Sequence, residues 1–329
     1  MTTYYGLYGQ KVQYLASDPT DVQTGQVWYN STSAVLKVRQ EVATNSWATG
    51  GTMANARYGA AGFGTQTAAL VAGGINGPTY KPQTELYNGT SWTANPTGMN
   101  VNKYAIFGVG TQTAGVAFGS DGSPNQTELW NGSSWTTNPG VMAFNGEGMA
   151  GAGVQTAALA FGGFRPPGPL GANSNKTESF NGSTWTTNPN MNTARNSLGG
   201  CGTQTAALAF GGNAPPGLSG ATESYNGSSW TTNPNSMNTA RAGLASAGNQ
   251  TLALAFGGVA PLETGATEFW NGSSWTSNPT GLATARQSFC GAGTQTVALA
   301  FSGYNGTTGT GATEEWTGTV ISTKTVTVT

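Results

Sequence analysis

The chain has 329 residues, enough for one large repeat domain or two ordinary ones. With 51 glycines and only 8% charged residues, it favours short strands and tight turns over helices. Twelve basic and 13 acidic residues leave a net charge of -1 without a Lys or Arg run, which argues against nucleic acid and membrane surfaces as partners. Histidine is absent, and with it go Ser-His nucleophiles and His-ligated metals, so no cofactor or metal is expected.

The opening MTTYYGLYGQ lacks the charged and apolar regions of a secretory signal, and no cleavable leader or membrane insertion is expected. Its tyrosines, Tyr4, Tyr5 and Tyr8, together with Tyr14, suit an assembly surface. Residues 1–40 lie outside any repeat. Within them Val27 to Asn30 and Val35 to Gln40 read as a hairpin joined through Ser31-Thr32-Ser33. Next comes TNSWATGGTMANAR, Thr44 to Arg57, which has the pattern of an outer strand and its following loop without the strands that should precede it.

From there the chain repeats. Gln66, Gln112, Gln155, Gln204, Gln250 and Gln295 sit in Thr-Gln-Thr or close variants and mark six units, a period that belongs to solenoids, propellers or arrays. Each unit predicts four strands: a Gly/Ala-rich first strand, an apolar second strand such as LALAF ending at a Gly pair, a third strand such as TEFW, and a fourth around SSWTS. Between the last two, Asn-Gly reads as a two-residue type I′ hairpin turn. Four antiparallel strands with the smallest side chains on the first suit a propeller blade whose inner strand crowds the axis. The sixth unit has its third strand at Thr313 to Trp316 but no NGSSW after it. Trp47 is therefore expected to complete that blade and close the ring, leaving no unpaired edge. The expected fold is all-β: a six-bladed propeller over 41–317, a short N-terminal hairpin segment, and a C-terminal β tail at 318–329, ending in VISTKTVTVT, which either pairs with the N-terminal segment or competes for the closing place.

The aromatic and Trp pairs Tyr87/Trp92, Trp130/Trp135, Phe180/Trp185, Tyr225/Trp230 and Trp270/Trp275 flank the Asn-Gly turns. An Arg precedes most first strands, and a Gly pair such as Gly162-Gly163 closes most second strands. Over residues 45 to about 317 this order resembles the kelch repeat. The resemblance implies a propeller; kelch propellers include binding scaffolds and a copper oxidase, and the missing histidines speak against the latter. The N-terminal stretch GQVWYNSTSAVLKVR resembles segments of bacteriophage tail-fibre and other virion proteins, particularly cyanophage-like ones. That resemblance implies a virion appendage, with residues 1–40 attaching to other virion proteins.

Strand alternation sorts the connections onto two faces. The Thr-Gln-Thr and Asn-Gly turns, nearly identical in every unit, share one face, while the loops after the second and fourth strands share the other and carry the variation. Arg57, Lys103, Arg195, Arg241 and Arg286 occupy equivalent positions, with Gly146 in the third unit. Glu85, Glu128, Glu178, Glu223, Glu268 and Glu314 recur beside them. They could grip an acidic sugar, as in sialidases, but structural ion pairs are the plainer reading. With Trp92, Trp135, Trp185, Trp230 and Trp275 they are assigned to the scaffold. SYNGSSW is similar to the Asp-box hairpin of sialidases, yet Asn226 stands before Gly227 and no Asp is present. Outside the repeat positions the ring supplies only Glu147, Asp121, Glu263 and Glu315 as acids, so no catalytic residues are assigned and no enzyme is expected. Cys201 and Cys290 sit in small-residue runs and read as buried side chains rather than a disulfide.

The residues that break the repeat on the variable face are the binding candidates: Tyr80, Lys81, Asp121, Phe164, Arg165, Pro166, Lys176, Pro215, Leu262 and Tyr304. Aromatic rings among amides and hydroxyls are how an uncharged surface holds a glycan. The expected function is a non-enzymatic virion protein whose loops bind a host cell-surface glycan or protein. The alternatives are a purely structural virion module and, last, a glycan hydrolase. A homo-oligomer is left open.

Overall fold

The computed structural model describes residues 12–20, 24–120, 126–144, 146–165 and 172–326, with the backbone alone at 41–43 and 320–324. Among these residues every regular element is a strand, and no helix is long and apolar enough to cross a membrane. The chain forms two compact units: Ser46–Trp316, and the two chain ends, Met1–Asn45 with Thr317–Thr329.

Ser46–Trp316 is built from repeated four-stranded antiparallel sheets, an arrangement that fits a β-propeller. The fifth is representative. Its first strand Ala245–Gly248 pairs with Ala253–Phe256, which pairs with Thr267–Trp270, which pairs with Trp275–Asn278. Second-strand residues such as Ala253, Leu254, Ala255 and Phe256 are all fully buried, because this strand has sheet on both sides and sheets stacked on both faces. In the sixth sheet the strand order runs from Cys290–Gly293 through Val297–Phe301 and the strand starting at Thr313 to the strand ending at Thr49. Trp47 thus occupies the fourth-strand place.

First strands lie side by side: each neighbours that of the next unit, and Cys290–Gly293 neighbours Ala61–Thr65. At one position in most of these strands the spacing leaves no room for a side chain. A Cβ on Gly200 would stand 2.6 Å from the Phe161 ring and one on Gly62 2.4 Å from Cys290 Cβ. Cys201 and Cys290 are free thiols in this layer, pushed up to about 12 by burial.

Neighbouring sheets are tied by three recurring contacts. The second-strand Phe packs on the fourth-strand Trp of the next unit, as in Phe118–Trp185, Phe161–Trp230, Phe210–Trp275, Phe256–Trp47 and Phe301–Trp92, with centroids 4.8–5.1 Å apart. Each of these Trp indoles, and that of Trp135, donates to the third-strand Thr hydroxyl of the preceding unit at 2.8–3.0 Å. The Gln of each Thr-Gln-Thr or variant turn reaches back with Nε2 to two carbonyls of the preceding unit at 2.6–3.1 Å. Gln66, in the first unit, reaches Ala298 and Trp316 of the sixth. A single amide thus satisfies two buried acceptors across each junction.

The Asn-Gly turn differs from expectation. Tyr225 pairs directly with Trp230, so the loop has four residues, Asn-Gly-Ser-Ser, and only Gly227 has positive φ, at 92°. Asn226 instead turns its own side chain inward: Oδ1 accepts from the backbone N–H of Ser228 and Ser229 at 3.0 and 2.8 Å. The side chain supplies the acceptor that a tighter backbone turn would have supplied, so Asn need not adopt the left-handed conformation. The same cap recurs at Asn88, Asn131, Asn181 and Asn271.

In the unit of the chain ends, Gln13–Leu15 runs parallel to Val27–Asn30, which pairs antiparallel with the start of Val35–Thr49. That last strand continues unbroken past Gln40. The tail follows on within Thr313–Val326 and lies next to Val35–Thr49 in strand order. Asp18 organises the corner, accepting from Trp28 Nε1 at 3.1 Å, Asn30 Nδ2 at 2.7 Å and Lys37 Nζ at 2.6 Å. The Lys37 contact and the two neutral donors hold its carboxyl down at about 2. Tyr14 stacks on Tyr29 with centroids 4.8 Å apart; Tyr4, Tyr5 and Tyr8 lie outside the described residues.

Candidate functional site

The recurring Arg and Glu fix the backbone that precedes each first strand. Arg57–Glu85, Lys103–Glu128, Arg195–Glu223, Arg241–Glu268 and Arg286–Glu314 approach to 2.5–3.6 Å, with the cations fully buried. Each Glu also accepts two backbone N–H groups from the loop before the Arg, for example Asn192 and Thr193 onto Glu223. Arg195 in turn donates to the carbonyls of Gly211 and Ala221. Burial pulls these guanidinium groups and the Lys103 ammonium below their usual values, against the opposing pull of each Glu. Such pairs hold two loops in register. Closed off from solvent, these cations cannot reach a ligand.

The third unit departs from this. Gly146 replaces the cation, and the Phe144 ring lies where a side chain would start, 2.3 Å from a Cβ built on Gly146. Glu178 keeps its two backbone donors, Ala143 and Phe144, with no cation in salt-bridge range among the described residues.

Beyond each Arg position the backbone turns through the left-handed region. Gly59, Ala105, Gly148, Ser197, Gly243 and Ser288 have φ between 51° and 62°, where a residue other than glycine costs about 1–2 kcal/mol. These residues are linked to one another. Ser288 N donates to Gly243 O, Gly243 N to Ser197 O, Ser197 N to Gly148 O, Gly148 N to Ala105 O, Ile106 N to Gly59 O, and Gly59 N to Ser288 O. The succession returns to the residue it started from. The left-handed turn aims the N–H sideways at the preceding unit, from the left-handed residue itself or, in the second unit, from Ile106 just after it.

This collar rims a cavity of about 630 Å³ lined by the six first strands, within the range of small-ligand pockets. The positions just after each repeat cation, or after Gly146, stand beside the collar and all differ in setting: Tyr58, Tyr104, Glu147, Asn196, Ala242 and Gln287. Tyr58 meets Tyr104 edge-on, with centroids 5.7 Å apart, and Tyr304 at 5.2 Å. Away from this aromatic arc, Asn196 Nδ2 donates to Asn173 Oδ1, Asn173 Nδ2 donates to Asn213 O, and Gln287 Nε2 donates to Glu263 Oε1. The rim is aromatic over one arc and amide and carboxylate over the other. Such a rim can stack on the C–H face of a ring and accept hydrogen bonds from hydroxyls. Among the described residues no group of three acidic or thiol side chains is placed to hold a metal ion.

Among the described residues, the loops after the second strands hold regular structure. Three contain two-residue hairpins, Ile75–Asn76 with Thr79–Tyr80, Phe164–Arg165 with Ala172–Asn173, and Asn213–Ala214 with Gly217–Leu218. Their first residues bridge to the rim positions, as in Tyr58 with Ile75 and Glu147 with Phe164.

This placement divides the residues singled out from sequence. Phe164 lines the cavity, and Tyr304 joins the aromatic arc. Tyr80, Arg165, Lys176, Pro215 and Leu262 are exposed and outside the cavity lining, Leu262 at 76%. Lys81 is half-buried, its backbone N–H bonded to Gly74 O. Asp121 and Pro166 lie outside the described residues. Tyr58, Tyr104, Asn196 and Gln287 went unrecognised in the sequence, and Glu147 was read only as a possible acid. The signal that marks them is variation at the single position after the repeat cation, between neighbours that recur.

No protein-family model matches this chain, and a comparison with curated proteins returns no match.

Proposed function

We propose that Ser46–Trp316 is a closed, six-bladed, kelch-like propeller and that it is the glycan-binding head of a virion appendage, acting without catalysis. Closure is supported by three sets of contacts that run from the sixth unit to the first. These are the Gln66 amide on the carbonyls of Ala298 and Trp316, the Gly303 N–H on Arg57 O, and the Gly59 N–H on Ser288 O. Trp47 supports its own role as last outer strand through its bond to Thr267 Oγ1.

The binding reading rests on one observation. Beside a repeated backbone collar around a cavity stand six positions whose side chains vary, of which Tyr104, Glu147 and Asn196 line the cavity; they are aromatic on one arc and hydrogen-bonding on the other. A rim serving only to hold the fold has no need of such asymmetry. A sialidase-type reading is disfavoured because the repeat arginines are buried against glutamates. The virion placement is supported by the resemblance of GQVWYNSTSAVLKVR to tail-fibre segments, and residues 1–40 are proposed to engage other virion proteins.

The test compares purified full-length protein with a Tyr58→Ala, Tyr104→Ala variant and a Tyr80→Ala, Leu262→Ala variant. Each is mixed with host cells and with polysaccharide extracted from their surface. Binding by wild type and by the loop-tip variant, with loss in the rim variant, is the expected result. Wild type that binds neither preparation returns the chain to a structural virion module, and release of reducing sugar makes it an enzyme. Immunogold labelling of intact particles tests the placement, which fails if purified particles carry none of the chain.

A further inference from the structure

The charge at the rim narrows the ligand class. Resting on the glycan-binding reading, we infer that the ligand is an uncharged glycan and that the rim excludes acidic sugars.

Two observations carry this. First, the cations are withdrawn: Arg57, Lys103, Arg195, Arg241 and Arg286 are fully buried, each on a glutamate, and the cavity lining includes no Lys or Arg among the described residues. Arg165 is exposed and follows Phe164, which lines the cavity, in a two-residue strand. Successive side chains of a strand take opposite faces, so Arg165 leaves on the far side. Second, the charge present is negative. Glu147 lines the cavity, and Glu263 takes the Gln287 amide at 2.9 Å.

A neutral pyranose brings hydroxyl donors to these carboxylates and a C–H face to the tyrosine arc. A uronic or sialic acid brings a further negative charge to a rim that carries Glu147 and Glu263, beside a cavity lining with no described cation to meet it, and like charges there suppress the wrong partner. The exclusion is therefore built by where the arginines are kept as much as by the two glutamates.

The experiment is a printed array of neutral and acidic glycans probed at low salt with the full-length protein, followed by titration calorimetry on the best neutral glycan and its nearest acidic counterpart. Wild type is expected to bind the neutral glycan at least roughly tenfold more tightly. Glu147→Gln with Glu263→Gln should narrow that gap while melting within a degree or so of wild type; Glu147→Gln alone should narrow it in part. An acidic glycan bound as tightly as the neutral one, or a gap unchanged in both variants, overturns the charge inference and leaves glycan binding intact. If no glycan of either kind binds, the functional reading falls and takes this inference with it. Loss of binding in Tyr104→Ala together with a persistent charge preference in wild type upholds both.

Discussion

Trp47→Ala tests how the first and last parts of the repeat unit are joined. The indole packs on Phe256 and Trp316 with centroids 4.9 and 5.3 Å away and donates to Thr267 Oγ1 at 3.0 Å. Removing a packed Trp costs about 3–5 kcal/mol, and the half-buried position of Trp47 places it at the low end. The Thr267 hydroxyl it abandons adds roughly 1 kcal/mol. A total of about 4 kcal/mol lowers the melting temperature of a domain this size by roughly 8–12 °C. Trp47→Phe keeps part of the ring contact and loses the hydrogen bond, so it should cost less than Trp47→Ala, about 1–2 kcal/mol. Trp275→Ala, at the equivalent place in the fifth sheet, supplies the reference. Calorimetry gives the melting shift, and amide exchange should accelerate at Thr313–Trp316 and Thr267–Trp270 in Trp47→Ala. A cost below about 1 kcal/mol, far under that of Trp275→Ala, would refute the reasoning that Trp47 completes the sixth sheet.

Three further outcomes are expected. Glu223→Gln leaves Arg195 buried against a neutral group and should cost about 3–5 kcal/mol, whereas Glu178→Gln, with no cation to abandon but one of its two backbone N–H donors left facing an amide NH2, should cost less, about 1 kcal/mol; urea melts compare them. Asn226→Ala removes the acceptor for Ser228 and Ser229 and should cost about 1 kcal/mol, while Asn226→Asp retains it and should cost less in the same melts. Asp18 is held at about 2 in the folded chain against an ordinary 3.8. Its contribution is present above the unfolded value and disappears as pH falls through the folded one. The indole N–H of Trp28 should therefore lose exchange protection between about pH 4 and pH 2 in wild type, and Asp18→Asn should flatten that dependence.

The four-strand unit was legible because its markers are local. A Gly pair, an Asn-Gly and an alternating TEFW each act within a few residues. The turn type was not, because Asn226 was read for its tolerance of positive φ when its side chain instead caps the loop. The two-residue hairpins escaped because Ile75–Asn76 and Thr79–Tyr80 are too short to alternate. In the third unit Gly146 registered as a missing cation, but Phe144, two residues earlier, gave no sign that it occupies the space. The rim was hidden for a different reason. Tyr58 and Tyr304 are far apart in sequence and meet only through packing between the first and last units, so no local pattern couples them. Asking which residues break the repeat leads to Phe164, in the cavity lining, and to Tyr304, beside Tyr58. Tyr104 broke it too, at a position that looked like part of the scaffold.

The backbone collar has a consequence for how this molecule can change. At each junction the N–H and C=O groups do the joining, and the side chain one residue earlier takes no part in it. Those six side chains stand outside the backbone joining: Tyr, Tyr, Glu, Asn, Ala and Gln all occupy the same kind of place. Joining and variation are written on different atoms of adjacent residues. A chain built this way can change its side chains by point substitution around the rim without renegotiating its core.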